Sequence, residues 1–176
     1  MVSIQTLSDD DRRLVASWAL DCAERVVPLF HADATARDVL DDAMARTRAY
    51  SAGESSAAAE ISKRLTAGRA ASAATTPAGA AAARSVAQAA AVAHMGAHAL
   101  GAAGYAAKAV SLAHPHAPQA VEEEIRWQIA QLSEPQRAAL GLLPLLGTDT
   151  SGPLGPGLLT QGIVGEAIRE LQAQIS

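Results

Sequence analysis

The sequence predicts an all-α fold, a compact bundle of about six to eight helices that pack through alanine- and glycine-rich faces. The chain has 176 residues, a length typical of one domain. Sixteen of the thirty residues in 80–109 are alanine, the strongest helix former and a residue depleted in strands. Elsewhere, larger apolar residues recur at helical spacing. Both observations favour helices packed through small side chains and disfavour a sheet.

Capping residues and prolines divide this periodic pattern into separate helices. Ser8 is a good N-cap for the first helix, and Pro28 should end it near Phe30. In the third helix, Ile61 and Leu65 are the only large apolar residues, so alanine must supply most of its packing. The predicted helices are 9–30, 36–51, 56–74, 77–112, 118–132, 133–143 and 159–175.

The segment 77–112 is too long for one straight helix in a compact domain. Thr76 and Pro77 form a start signal, and no stop signal follows before His114 and Pro115. A straight helix would be about 54 Å long, whereas a compact domain of this length is roughly 40 Å across. We therefore expect a break, near one of the small residues that also allow close helix contacts: Gly96, Gly101 or Gly104.

The chain divides into a helical bundle at 1–143, a linker at 144–157 and a C-terminal amphipathic helix at 158–176. The linker contains four glycines and three prolines, which favour an extended segment over a regular element. We expect the last helix to pack back on the same domain. Alternatively, the linker is long enough for the helix to cross to a second copy and form a homodimer, or to bind a partner.

The charge pattern indicates which partners the chain could bind. A net charge of −4, with 14 scattered Lys and Arg residues, argues against a phosphate-backbone binder and favours a basic partner. The uncharged run 85–107 is mostly alanine and glycine, so it is a poor membrane span. Acidic residues are either solvated first turns of helices or a docking surface. The partner-binding candidates are Asp9, Asp10, Asp38, Asp41, Asp42, Glu122 and Glu123.

Two features bear on the cellular compartment. Cys22 is the single cysteine, so the chain can form no internal disulfide. The N-terminal residues lack the basic start and apolar core of a signal peptide. We therefore expect a cytoplasmic protein.

His94 and His98 are candidate metal ligands because they have the spacing of two ligands on one helical face. The glutamate of the zinc-protease motif is absent, since Met95 follows His94. A third ligand would have to come from the turn at 114–118 or from a carboxylate elsewhere. The alternative is that each imidazole hydrogen-bonds a neighbouring helix inside the bundle.

No other set of residues in the sequence predicts a catalytic site. Cys22 falls on the apolar face of the first helix, where a buried and unreactive thiol is expected. We expect a solvated helix face at Asp21, Glu24 and Arg25. We predict no enzyme activity and no cofactor; the alternative is a metal-binding domain or metal-dependent enzyme that uses His94 and His98.

Three segments carry a resemblance to a known family: 7-LSDDDRRLVASWALDCAERVVPLF-30, 91-AVAHMGAHALGAAGYAAKAV-110 and 162-GIVGEAIRELQAQI-175. With these segments in this order, the chain resembles the Imm-5-like immunity proteins, alanine-rich helical proteins of actinobacteria. The resemblance implies a cytoplasmic, non-enzymatic protein that neutralises a cognate toxin by binding it. It implies no particular binding residues. An acidic helical scaffold would suit a basic toxin such as a nuclease.

Overall fold

The computed structural model describes residues 1–63 and 65–176, and within them the fold is all-α, as predicted. Seven helices have eight or more residues and two have five, and this part of the chain has no strand. The helices are α1 (Asp9–Val26), α2 (Ala34–Ser51), α3 (Ala57–Ile61), α4 (Thr66–Ala70), α5 (Pro77–Ala91), α6 (His98–Ala113), α7 (Gln119–Ala130), α8 (Glu134–Gly141) and α9 (Gly162–Ile175).

Helix α6 lies at the centre of the bundle, where α1, α5, α7 and α9 all pack against it. Its residues 99–107 are all buried, and most are alanine or glycine. The Ser85 hydroxyl of α5 donates a hydrogen bond to the Ala102 carbonyl at 2.7 Å, so the two backbones are close. Around this small-residue centre, large side chains fill the remaining space: Trp18, Phe30, Leu40 and Tyr50.

The expected break in the long alanine-rich segment occurs at Gly96, between α5 and α6. The N-terminal segment fixes this turn, because the Gly96 and Ala97 amides donate to the Thr6 and Gln5 carbonyls, each at 3.0 Å. Leu7 packs directly against Gly96, where a Cβ would lie 2.5 Å from the Leu7 Cδ1 atom. The length of the segment predicted a break, and these long-range contacts place it.

Gly104 provides the close contact between α6 and α9, in line with the expectation that small residues allow a helix to approach. A Cβ at Gly104 would lie 2.9 Å from Val164 Cγ1 and 3.2 Å from the Val164 carbonyl. By contrast, a Cβ at Gly68 in α4 would have no atom of the described residues within 4 Å. The two glycines can therefore be compared directly, because a methyl group would be crowded by α9 at Gly104 and would not be crowded at Gly68.

We expect Gly104→Ala to destabilise the protein by about 1–2 kcal/mol, because overpacking exceeds the gain in helix propensity. Gly68→Ala should be neutral or slightly stabilising. Urea denaturation followed by circular dichroism measures both. Equal effects of the two substitutions would show that α9 does not press on α6 at Gly104.

The segment after α8 folds against the bundle and leads into α9. Two buried glutamines hold it. Gln5 accepts a hydrogen bond from the Leu154 amide at 2.8 Å and donates to the Asp149 carbonyl at 3.0 Å. Gln172 accepts from the Leu146 amide and donates to the Pro144 carbonyl, both at 2.9 Å. Helix α9 then packs on α6, α7 and α8.

The predicted continuous helix over 56–74 is wrong. The structure has the separate helices α3 and α4, with Ser62, Lys63 and Leu65 in turn conformation between them, followed by the short 3-10 helix Ala71–Ala73. The Glu60 side chain is buried and accepts hydrogen bonds from Arg46 at 3.0 Å and Ser55 at 2.7 Å, whereas Leu65 is 67% exposed. Because large apolar residues do not recur at helical spacing here, the segment forms two short helices instead of one long packed helix.

The uncharged run 85–107, which extends from α5 through the turn into α6, packs within the protein. Among the described residues, no helix combines the length and the hydropathy that a bilayer crossing requires.

Candidate functional site: the face formed by α1 and α7

A chain of polar contacts joins α1 to α7 across the bundle. The buried Trp18 indole donates to the Gln128 carbonyl at 2.8 Å. The Gln128 side-chain amide donates to the Ala103 carbonyl at 3.1 Å and to Glu124 Oε1 at 3.2 Å. Arg25 Nε then donates to Glu124 Oε2 at 2.6 Å. These contacts connect the core at Trp18 with the surface at Arg25.

Glu124 and Arg25 form an asymmetric ion pair, since their side chains are 3% and 42% exposed. The guanidinium of Arg25 lies over the ring of Trp127, 4.3 Å from its centroid. The buried carboxylate and the indole ring together fix the arginine in one orientation. Arg25 is therefore a rigid, partly exposed cation at the centre of this face.

Two surface cavities, both wide open to solvent, flank Arg25. One, of about 310 Å³, lies between the end of α1, the end of α6 and the start of α7. The other, of about 430 Å³, lies between α1 and α7 on the side of Trp127. We call this surface the α1/α7 face, and it is defined by Asp21, Glu24, Arg25, Glu123, Glu124 and Trp127.

The α1/α7 face is predominantly acidic. Four of its residues are carboxylates and one is an arginine. The carboxylate of Glu24 pairs with Arg48 of α2. Burial raises the pKa of Asp21 above its ordinary value, although the charge of Arg48 lowers it. The face therefore combines anionic groups with an aromatic ring and a fixed arginine. Of these, tryptophan and arginine are the residue types enriched where proteins bind proteins.

The acidic residues predicted from the sequence fall into two groups. Asp9 is committed to internal contacts, since it accepts from Tyr50 at 2.9 Å, Arg12 at 3.1 Å and Arg13 at 2.8 Å. Burial raises the pKa of Asp9, but these hydrogen bonds and charges lower it by more. Asp42 pairs with Arg46 at 2.8 Å. The other candidates are exposed, and their side chains have no hydrogen bond or ion pair with any described residue: Asp10, Asp38, Asp41, Glu122 and Glu123.

The structure does not bring all these candidates to one site. Asp38, Asp41 and Asp42 share the exposed side of α2. Glu122 and Glu123 line different grooves on two sides of α7. Of the predicted residues, only Glu123 belongs to the α1/α7 face.

Sequence reasoning missed most of this face. Asp21, Glu24 and Arg25 resemble any solvated helix surface, and Trp127 lies at a helix edge. One signal was available: Gln128 occupies the apolar register of its helix, four residues after Glu124. A polar side chain at a core position commonly indicates a buried hydrogen-bond network.

His94 and His98 do not share a helical face, so that expectation is wrong. Helix α5 ends at Ala91, which places the exposed His94 in the turn and makes His98 the first residue of α6. His98 Nδ1 lies 2.8 Å from the Gln88 side-chain oxygen and so links α6 to α5. No group of three His, Cys, Asp or Glu side chains in the described part of the chain could hold a metal ion.

His98 predicts a pH dependence of stability. Burial, with a smaller contribution from the charge of His94, lowers its pKa to about 4, whereas a free histidine titrates near pH 6.5. Between these values the unfolded chain binds the extra proton, so stability is complete above about pH 6.5 and falls as the pH drops towards 4. We expect this group to account for about 2 kcal/mol of that loss, allowing for its partial exposure.

Urea denaturation from pH 7 to pH 4 checks this expectation, with His98→Asn as the control. The asparagine amide can still donate to Gln88 but does not titrate. The variant should lose less stability on acidification than the wild type. If the free energy of unfolding depends on pH in the same way in the variant and in the wild type, then His98 is not the cause of the loss of stability.

Cys22 is buried, as predicted, and is poorly suited to nucleophilic chemistry. Burial raises the pKa of its thiol well above the usual value, and the charges of Glu124 and Asp21 raise it further. A reactive cysteine requires the opposite shift.

The described chain is thus an all-α bundle with a charged face that two cavities flank. A family model described as "Imm-5 like putative immunity protein" matches residues 5–135, which are 131 of 176 residues. The chain therefore belongs to this family. The match includes both helices of the α1/α7 face, whereas the resemblance noted at 162–175 lies beyond it. Comparison with curated proteins and with solved structures finds no match.

Proposed function

We propose that this protein neutralises a cognate toxin by binding it, and that the α1/α7 face is the binding surface. Family membership supports the general function. The observation that supports this surface is the fixed Arg25, held against Trp127 and flanked by two cavities and four carboxylates. Tryptophan and arginine at the centre of a surface are the residues that most often dominate binding energy.

The acidic character of the face suits a basic toxin. Opposite charges accelerate encounter and disfavour wrong partners, while a central aromatic anchor provides most of the affinity. The exposed carboxylates of α2 would add long-range attraction without local contacts. Substitutions can separate the affinity that the aromatic anchor provides from the long-range attraction of the α2 carboxylates.

The test uses a toxin encoded beside the gene of this protein. Co-expression should protect cells from the toxin, and the purified proteins should form a complex. We expect Trp127→Ala to weaken the complex by about 2 kcal/mol, roughly thirtyfold in Kd. The double variant Asp38→Asn, Asp41→Asn removes two charges from α2 and should change mainly the association rate.

Isothermal titration calorimetry and stopped-flow measurement give the affinity and the association rate. Failure of the wild-type protein to bind the toxin or to protect cells would refute the proposed function. Binding that is insensitive to Trp127→Ala but lost in the α2 variant would move the surface to α2.

A further inference from the structure

The cavity of about 310 Å³ beside Arg25 has walls of two kinds. The end of α1 and the residues after it supply apolar groups from Val26, Pro28 and Leu29, and the last turn of α6 adds Val110. The opposite wall is the start of α7, with Ala120 and the carboxylates of Glu123 and Glu124. The cavity thus pairs an apolar wall with an acidic one.

The electrostatic balance of this cavity is negative. Among the described residues that line it, Arg25 is the only arginine or lysine, and the buried Glu124 already neutralises that charge at 2.6 Å. The imidazole of the exposed His114 also lines the cavity. Glu123 is exposed and has no ionic partner in the described chain. Helix α6 ends here with no basic residue in its last turn, so its terminal carbonyls add negative partial charge. The start of α7 contributes the opposite polarity, and the carboxylates of Glu123 and Glu124 on the same wall oppose it.

An anion would therefore find no unpaired arginine or lysine among the described residues of the cavity, and only the imidazole of His114 as a basic group. A purely apolar side chain would leave the Glu123 carboxylate without a partner at its edge. A lysine or arginine satisfies both walls, because its methylene stem can lie along Pro28 and Leu29 while its head group meets Glu123.

We propose that this cavity receives a lysine or arginine side chain of the partner protein. The inference rests on the proposed function for the partner's identity, and it adds the chemistry of one contact. The ion pair between the partly exposed Arg25 and the buried Glu124 holds the acidic wall in place, and Glu123 forms the ion pair with the incoming side chain.

The cavity can be probed without the toxin, by titrating the full chain with n-butylguanidinium or n-butylammonium and following amide shifts by NMR. We expect saturable shifts confined to residues around Val110, His114 and Glu123. Glu123→Gln should weaken binding roughly three- to fivefold, the effect of one solvent-accessible ion pair. Ala120→Leu fills the cavity and should abolish the shifts.

Glu122→Gln is the matched control, since it makes the same change one residue away but lines the groove with Glu170 instead. It should leave binding unchanged within twofold. Shifts that are absent in the wild type, or equally weakened in both glutamine variants, would overturn the proposal. The guanidinium and ammonium probes then show which head group the cavity prefers.

Measurements with the toxin separate this inference from the proposed function. If the wild type binds the toxin and both Glu123→Gln and Ala120→Leu bind it equally well, the cavity contact is wrong and the function stands. If the wild type does not bind the toxin although the cavity takes the small cation, the proposed function fails and the cavity site remains.

Discussion

Trp18→Ala is expected to lower the free energy of unfolding by about 5 kcal/mol, a large part of the 5–15 kcal/mol typical of a domain. Trp18 is fully buried between α1 and the rest of the bundle. Its removal creates a cavity that a core of alanine cannot fill by repacking. It also leaves the Gln128 carbonyl without the indole donor that lies 2.8 Å away.

Trp127→Ala is the matched control, because the chain has two tryptophans and Trp127 is only half-buried. We expect it to cost about 1 kcal/mol, mainly the lost stacking with Arg25. Guanidinium denaturation followed by circular dichroism compares the variants without relying on tryptophan fluorescence. Similar losses in both variants would contradict the assignment of Trp18 to the core and Trp127 to the binding face.

Arg25→Ala is expected to destabilise the protein by about 3 kcal/mol, although the residue is partly exposed. The cause is the partner left behind, since the Glu124 carboxylate is only 3% exposed and loses its counter-charge. Adding Glu124→Gln to this variant should restore roughly 1–2 kcal/mol, because a neutral amide is easier to bury than a carboxylate.

Arg48→Ala provides the comparison for this ion pair. Arg48 also pairs with a glutamate of the same face, but both side chains are well exposed, at 60% and 38%. Its loss should cost less than about 1 kcal/mol. If Arg25→Ala proves no more harmful than Arg48→Ala, then Glu124 is not a buried charge that depends on Arg25.

The parts of the fold that follow from local chemistry could be predicted from the sequence. Ser8 and Thr76 cap α1 and α5 as expected, because a cap needs only the amides of the next turn. The break before α6 followed from chain length. Its position at Gly96 could not, since the backbone of Gln5 and Thr6, ninety residues earlier, fixes the turn.

The α1/α7 face depends on contacts between residues far apart in the chain. Arg25 and Glu124 are 99 positions apart, and Trp18 and Gln128 are 110 apart. A single sequence gives no measure of such distances. Acidic residues can be counted from the sequence, but whether each is committed internally, like Asp9, or free, like Glu123, depends on the folded neighbours.

Hydrogen exchange of the wild-type protein, free and bound to its toxin, tests most directly whether the α1/α7 face is the binding surface. We predict slower amide exchange on binding in the second half of α1, at the end of α6 and in α7, with little change in α2. Protection confined to α2, or to α9 and the segment before it, would contradict this account.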